Sequence, residues 1–158
     1  MKKTALWAAL IAGCDQAIKA VIRRAPQGHV FFRLDGVVEF THSTNTGAAF
    51  SMLSGRTALI TALSALLLAA LVIFVHRTMR LTRGARAALT CLIGGGVGNL
   101  IDRLFFAGVT DYIRILFFRF PVFNLADIMI TLSIAALVVL LFTGRMEEPV
   151  GERHGSDH

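Results

Sequence analysis

Charged residues are scarce in this chain. Only 16% of its 158 residues are Asp, Glu, Lys or Arg, whereas a soluble domain carries roughly 25%. A disordered polymer is excluded, because disorder needs low hydrophobicity and high charge. A groove-binding surface for nucleic acid is excluded as well, despite a net charge of +6 and a pI near 10.4, because such a surface needs a broad water-exposed polar face. Cysteine is scarcer still. Cys14 and Cys91 both lie inside apolar blocks, which excludes a disulfide-stapled secreted module. Nucleotide fingerprints are missing too. The run Gly94-Gly95-Gly96-Val97-Gly98 has no Gly-Lys-Ser/Thr and no preceding strand, and its Gly94 and Gly98 suit a small-xxx-small helix contact instead. His29, His42 and His76 are scattered, with no HExxH pair for zinc. No serine sits in a nucleophile-elbow pattern, which disfavours a pairing of Lys19 with Ser43, Ser51 or Ser54. No internal repeat or low-complexity tract is visible.

What the chain has is apolar length. Hydrophobic residues make up 55% and mean hydropathy is +0.67. Crossing a bilayer takes roughly 20 apolar residues in a helix, and four stretches qualify: Thr4–Ile22, Thr57–Val75, Ala87–Phe106 and Pro121–Phe142. The expected fold class is an all-α membrane protein with four transmembrane helices, one membrane domain over residues 1–143 and a disordered polar tail over 144–158. An even number of spans puts both termini on one side. The dense connector His76–Arg86, with Arg77, Arg80, Arg83 and Arg86, marks that side as cytoplasmic. The bias is modest: eight basic residues flank the spans there and six on the other side, and Arg23-Arg24 run against it.

Two connectors on the outer side carry structure of their own. In the insert 23–56, Val30–Leu34 and Val37–Thr41 flank Asp35-Gly36, which predicts a hairpin with a type I′ turn. The connector Ala107–Phe120 mixes Tyr112, Phe117, Phe118 and Phe120 with two arginines, and predicts a segment lying in the membrane interface. At the start of the chain, Ile11-Ala12-Gly13-Cys14 is similar to the lipidation box of a lipoprotein precursor. Three further spans follow, with no soluble domain to export, and the match reads as chance.

An ionisable residue within a span is costly and points to function, with a partner to be named. Here depth is the informative variable. Asp15 and Lys19 are i and i+4 on one helix face, about 11 and 5 Å from the outer end of their span at 1.5 Å per residue. Asn99, Asp102 and Arg103 lie at the outer end of the third span, and Asn124 and Asp127 in the first two turns of the fourth. Asp111 is in the loop between them. Every such group therefore falls in the outer half. Asp15–Lys19 suits a structural ion pair or a functional one. Asp102 and Arg103 suit architecture, as a paired charge or a snorkelling arginine. Asp127 has no basic residue at i±3 or i±4, so desolvation favours its neutral form. Together with Asp111 it suggests two carboxylates sharing a proton at one depth.

The motifs in order resemble the lipoprotein signal peptidase (signal peptidase II) family, four-span aspartyl proteases of the bacterial inner membrane. Asp15-Gln16-Ala17-Ile18-Lys19 is similar to the family's Asp-x-x-x-Lys. Asn45-Thr46-Gly47-Ala48-Ala49-Phe50 resembles its Asn-x-Gly-Ala-Ala-Phe, and Gly98-Asn99-Leu100-Ile101-Asp102-Arg103 its Gly-Asn-x-x-Asp-Arg. Val109-Thr110-Asp111-Tyr112 and Phe123-Asn124-Leu125-Ala126-Asp127 resemble the two segments that carry its aspartates. Tyr112 stands where the family usually has Phe, and the stretch between the aspartates is short. The resemblance implies catalysis by Asp111 and Asp127, and positioning by Asn45, Gly47, Asn99, Arg103 and Asn124. It leaves structural roles to Asp15, Lys19 and Asp102. It implies no metal or cofactor, a diacylglyceryl-modified prolipoprotein as substrate, contact with membrane lipid, a monomer, cytoplasmic termini and a site near the periplasmic face. The competing class is a small proton-coupled transporter, which should hold binding groups near the midplane with routes to both faces.

Overall fold

The computed structural model describes residues 2–47, 56–77, 81–106 and 108–147. Four helices form: α1 (Lys2–Ile22), α2 (Thr57–Arg77), α3 (Arg83–Phe106) and α4 (Leu125–Phe142). All four are long and apolar enough to cross a membrane. Three strands accompany them, β1 (Val30–Leu34), β2 (Val38–Asn45) and β3 (Val109–Ile115), in one antiparallel sheet of order β1-β2-β3.

α3 is the axis of the bundle and packs against α1, α2 and α4. Its glycines make that possible. A Cβ on Gly94 would stand 2.8 Å from the Ile11 Cβ of α1, and one on Gly95 would stand 2.7 Å from the Ala126 carbonyl oxygen of α4. Real Cβ atoms do not approach so closely, so adjacent glycines admit two different helices. The Gly94 and Gly98 contact read from the sequence is thus one side of a two-sided arrangement.

Polarity is inverted relative to a soluble domain. Trp7, Leu66, Leu67 and Phe142 are exposed at 60–86%, while Asp15, Lys19, Asp102 and Asn124 are fully buried. Apolar side chains facing outward over polar ones facing inward require a lipid solvent, and the protein is a multi-pass membrane protein. At the opposite end of the bundle from these polar groups, the core is apolar, with Leu81, Ala85 and Leu89 packed against Leu71, Val75, Leu137 and Leu140.

The structure corrects three sequence expectations. The hairpin turn spans Asp35, Gly36 and Val37, because Leu34 pairs with Val38 and Val37 N–H bonds to the Leu34 carbonyl at 3.0 Å. Gly36 supplies the positive φ of 73° that the turn needs. The connector 107–120 is only partly interfacial: its first half is β3, with Val109 to Tyr112 buried, and the exposed aromatics are Phe117, Phe118 and Phe120. The fourth helix begins at Leu125 and leaves Pro121 outside, because Phe123 exchanges both backbone hydrogen bonds with Ile113 of β3 (2.8 and 3.0 Å). That bridge holds the chain extended until Asn124 caps α4. The tail expectation falls largely on residues 148–158, outside the described residues, as do Ser51, Ser54 and residues 48–50 of the Asn-x-Gly-Ala-Ala-Phe motif.

Candidate active site

The buried polar network starts on α1. Lys19 Nζ lies 2.8 Å from Asp15 Oδ2 and 3.2 Å from Asp102 Oδ2, and all three side chains are fully buried. A cation between two carboxylates offsets a desolvation cost that neither could bear alone. Each carboxylate spends its other oxygen, or a second contact, on a backbone amide elsewhere. Asp15 Oδ1 accepts from the N–H of Ala126, one residue before Asp127, at 3.1 Å. Asp102 Oδ2 accepts from the N–H of Thr110, one residue before Asp111, at 2.8 Å. The ion triad therefore pins the backbone beside each of the two aspartates to a common anchor.

Asparagines complete the placement. Lys19 Nζ donates to Asn99 Oδ1 at 2.9 Å, which turns Asn99 Nδ2 toward Asp127 Oδ1 at 2.7 Å. Asn124 Nδ2 donates to Asp111 Oδ1 at 2.6 Å and to Asn99 Oδ1 at 3.2 Å. Asn124 also caps α4: its Oδ1 accepts from Asp127 N–H at 2.9 Å, and Asp127 Oδ2 accepts from Asn124 N–H at 3.2 Å. This capping box was readable as Asn-x-x-Asp and was missed. Asn45, at the end of β2, makes a further side-chain hydrogen bond to Asp111, and its own Oδ1 accepts from Gly47 N–H at 3.0 Å. β2 and β3 are in register for this, with Ser43 opposite Asp111 and Asn45 opposite Val109.

Asp111 and Asp127 line one cavity of about 590 Å³, together with Asn45 and Arg103 and with apolar walls that include Ile115, Phe120 and Ile128. Burial, and next the negative charge of Asp127, push the Asp111 carboxyl up to about 7, against the opposing hydrogen bonds from Asn124 and Asn45 and the Lys19 charge. Burial likewise raises the neighbouring Tyr112 phenol to about 12, so it stays a neutral hydroxyl; its oxygen accepts from Leu125 N–H at 3.0 Å and supports the first turn of α4.

All ten residues singled out from the sequence gather here, but some partners differ from expectation. Asp102 pairs with Lys19 and Arg23, while Arg103 donates to the Asn99 carbonyl at 3.3 Å and faces the cavity. Lys19 is committed to Asp15, Asp102 and Asn99 as a cation, which leaves no free amine to activate a serine. Gln16 and Arg23 were missed as site supports. Gln16 Nε2 donates to Asp102 at 2.7 Å, and Arg23 stacks on Phe106 at 4.0 Å while bonding Asp102 and Thr110. Their signal was present in the spacing: 16, 19 and 23 are i, i+3 and i+7, one stripe of a helix. Arg23 also ceases to count as a free charge against the orientation rule, since it is an ion-pair partner.

Comparison with known proteins bears on the same residues. The profile of the signal peptidase (SPase) II family matches residues 7–143. The chain belongs to the signal peptidase II family. Relatives named lipoprotein signal peptidase include one from Synechocystis sp., 37% identical over 141 residues and covering 87% of each chain. Another, from Streptococcus thermophilus, is 30% identical with both chains fully covered. Among solved structures, a bacterial membrane enzyme determined by the in meso method at 2.3 Å resolution superposes with a TM-score of 0.84 at 27% identity, covering 95% of each chain. A second, at 1.9 Å resolution, gives 0.79 at 28% identity, covering 89% of this chain and 93% of that one. The matched stretch of this signal peptidase II family member runs through every residue of the network, from Asp15 to Asp127.

Proposed function

We propose that the chain is an aspartyl endopeptidase that removes the signal peptide from diacylglyceryl-modified prolipoproteins, cutting just before the lipidated cysteine. The observation that carries this reading is the single cavity lined by both Asp111 and Asp127, with each carboxylate held by an asparagine. Two interacting carboxylates cannot both ionise cheaply, so the pair retains one proton. Asp111, the more deeply buried, holds it, and Asp127 is the base. Asp127 takes a proton from water as the water oxygen bonds to the scissile carbonyl carbon, while Asp111 gives its proton to the carbonyl oxygen. Collapse of the tetrahedral species breaks the C–N bond. The leaving nitrogen takes a proton from Asp127, and the hydroxyl proton returns to Asp111. Every proton is accounted for by the two side chains and water, with no metal or cofactor required.

The apolar wall around Ile128 and Leu132 suits a substrate whose acyl chains stay in lipid, since Leu132 is itself exposed on the bundle surface. Arg103 and Asn45 at the cavity are placed to hold substrate backbone. We assign the protein to the bacterial inner membrane as a monomer, with both termini cytoplasmic and the cavity near the periplasmic face. The apolar core at the far end of the bundle counts against alternating access, which would need polar groups along a second route. Purified protein incubated with one prolipoprotein in diacylglyceryl-modified and unmodified forms should cleave the modified form alone. Cleavage of neither form, together with solute flux in proteoliposomes, would replace this reading with the transporter.

A further inference from the structure

At the end of the bundle opposite the carboxylates, α1 and α2 both pack on α3 rather than on each other. They leave a groove of about 510 Å³ between them, walled by Ala5, Ala8, Val72, Ile73 and Ile93. Its rim is basic: Arg77 at the last turn of α2 and Arg86 in the first turn of α3 both line it, beside His76. Neither arginine has an acidic partner among the described residues, where every ion pair lies in the buried network or on the sheet. Among the described residues, the Arg86 side chain donates to the Leu81 carbonyl alone, at 3.5 Å. The described carboxylate at this end, Glu147, sits opposite Leu81 in a backbone bridge and pairs with neither arginine. The N-terminus of α3 adds its own partial positive charge to the rim.

An apolar trough in lipid, ending at headgroup depth in two guanidinium groups that no described carboxylate pairs, has the shape and charge of a phospholipid reversed. We propose that this groove binds one anionic glycerophospholipid, with its phosphate between Arg77 and Arg86 and an acyl chain along Ala5, Ala8, Val72 and Ile73. A zwitterionic lipid fits the walls equally well but brings its ammonium group to a cationic rim. The site is separate from the candidate active site and stands whether or not the proposed chemistry holds.

Trp7, the sole tryptophan of the chain, is 60% exposed and does not line the groove, so the double substitution Trp7→Phe/Ile73→Trp moves the reporter to the groove wall. The full chain is reconstituted in phosphatidylcholine vesicles, and its fluorescence is quenched with dibrominated phosphatidylglycerol or with dibrominated phosphatidylcholine. Two guanidinium contacts should give phosphatidylglycerol a preference of roughly tenfold or more. The double variant Arg77→Gln/Arg86→Gln, checked for unchanged helix content by circular dichroism, should bring the two lipids close to parity. Arg83→Gln removes an exposed charge outside the groove and should keep the preference. Equal quenching by both lipids in the reporter protein that keeps Arg77 and Arg86 overturns the proposal. A loss for Arg83→Gln as large as for the double variant also overturns it, since that result means diffuse surface charge rather than a site.

Discussion

Asn124 uses the two ends of one carboxamide for two purposes. Its oxygen caps α4 by accepting from Asp127 N–H, and its nitrogen donates to Asp111 at 2.6 Å. The two can be separated. Asn124→Ser keeps a capping oxygen and loses the donor to Asp111, so thermal stability should stay near that of the parent while cleavage falls by about 100-fold, the scale of losing one positioned donor. Asn124→Ala loses both and should be destabilised by a further ~1 kcal/mol. Equal melting shifts for the two variants would contradict the dual role. Acidity is also set at this scale. Burial and the Asp127 charge raise Asp111 to about 7, so its protonated form is present below that pH and lost as pH rises through it. Cleavage that needs this proton should decline over the same range. The hydrogen bond from Asn45 opposes the rise, so Asn45→Ala should move the alkaline limb of the pH–rate profile to higher pH. A limb that stays put, or moves down, would contradict the assignment of the proton to Asp111.

Among elements, α1 acts through the anchor it supplies. Lys19 neutralises Asp15 and Asp102, and these hold the amides of Ala126 and Thr110, the residues preceding the two candidate aspartates. Lys19→Met should leave two buried carboxylates facing each other and cost ~3–5 kcal/mol, read as a lowered melting temperature in detergent. Cleavage should be lost with it; a variant as stable and as active as the parent would contradict the anchoring role. The helices were legible because hydropathy is a local signal, and the first hairpin because Asp35-Gly36 is one. β3 was not. Its partner β2 is some 70 residues earlier in the chain, and its polar Thr110, Asp111 and Arg114 read as a surface segment until the pairing with Thr44, Ser43 and Glu39 is known. The partners of Asp102 were hidden for the same reason: the adjacent Arg103 is visible in the sequence, whereas Lys19 and Arg23, which pair with it, come from α1 and the residue after it. The motifs located the site residues, and the contacts that orient them required the fold.

For the molecule as a whole, scarcity of charge decides the design. Six ion pairs are found among the described residues, and three of them form the buried cluster that ties α1 to α3 beside the carboxylates. The far end holds apolar packing and, on the groove rim, arginines without an acidic partner among the described residues. The bundle is therefore polarised along its axis, with an anchored polar cavity at one end and a basic rim at the other. The Cys14 segment that resembled a lipidation box lies within α1, which continues unbroken to Ile22. The central claim is that the cavity at the anchored end works through both aspartates. The direct measurement is cleavage of a purified diacylglyceryl-modified prolipoprotein by Asp111→Asn and Asp127→Asn, each confirmed to be inserted in the membrane and folded. The account predicts that each variant abolishes cleavage, and appreciable cleavage by either one would contradict it.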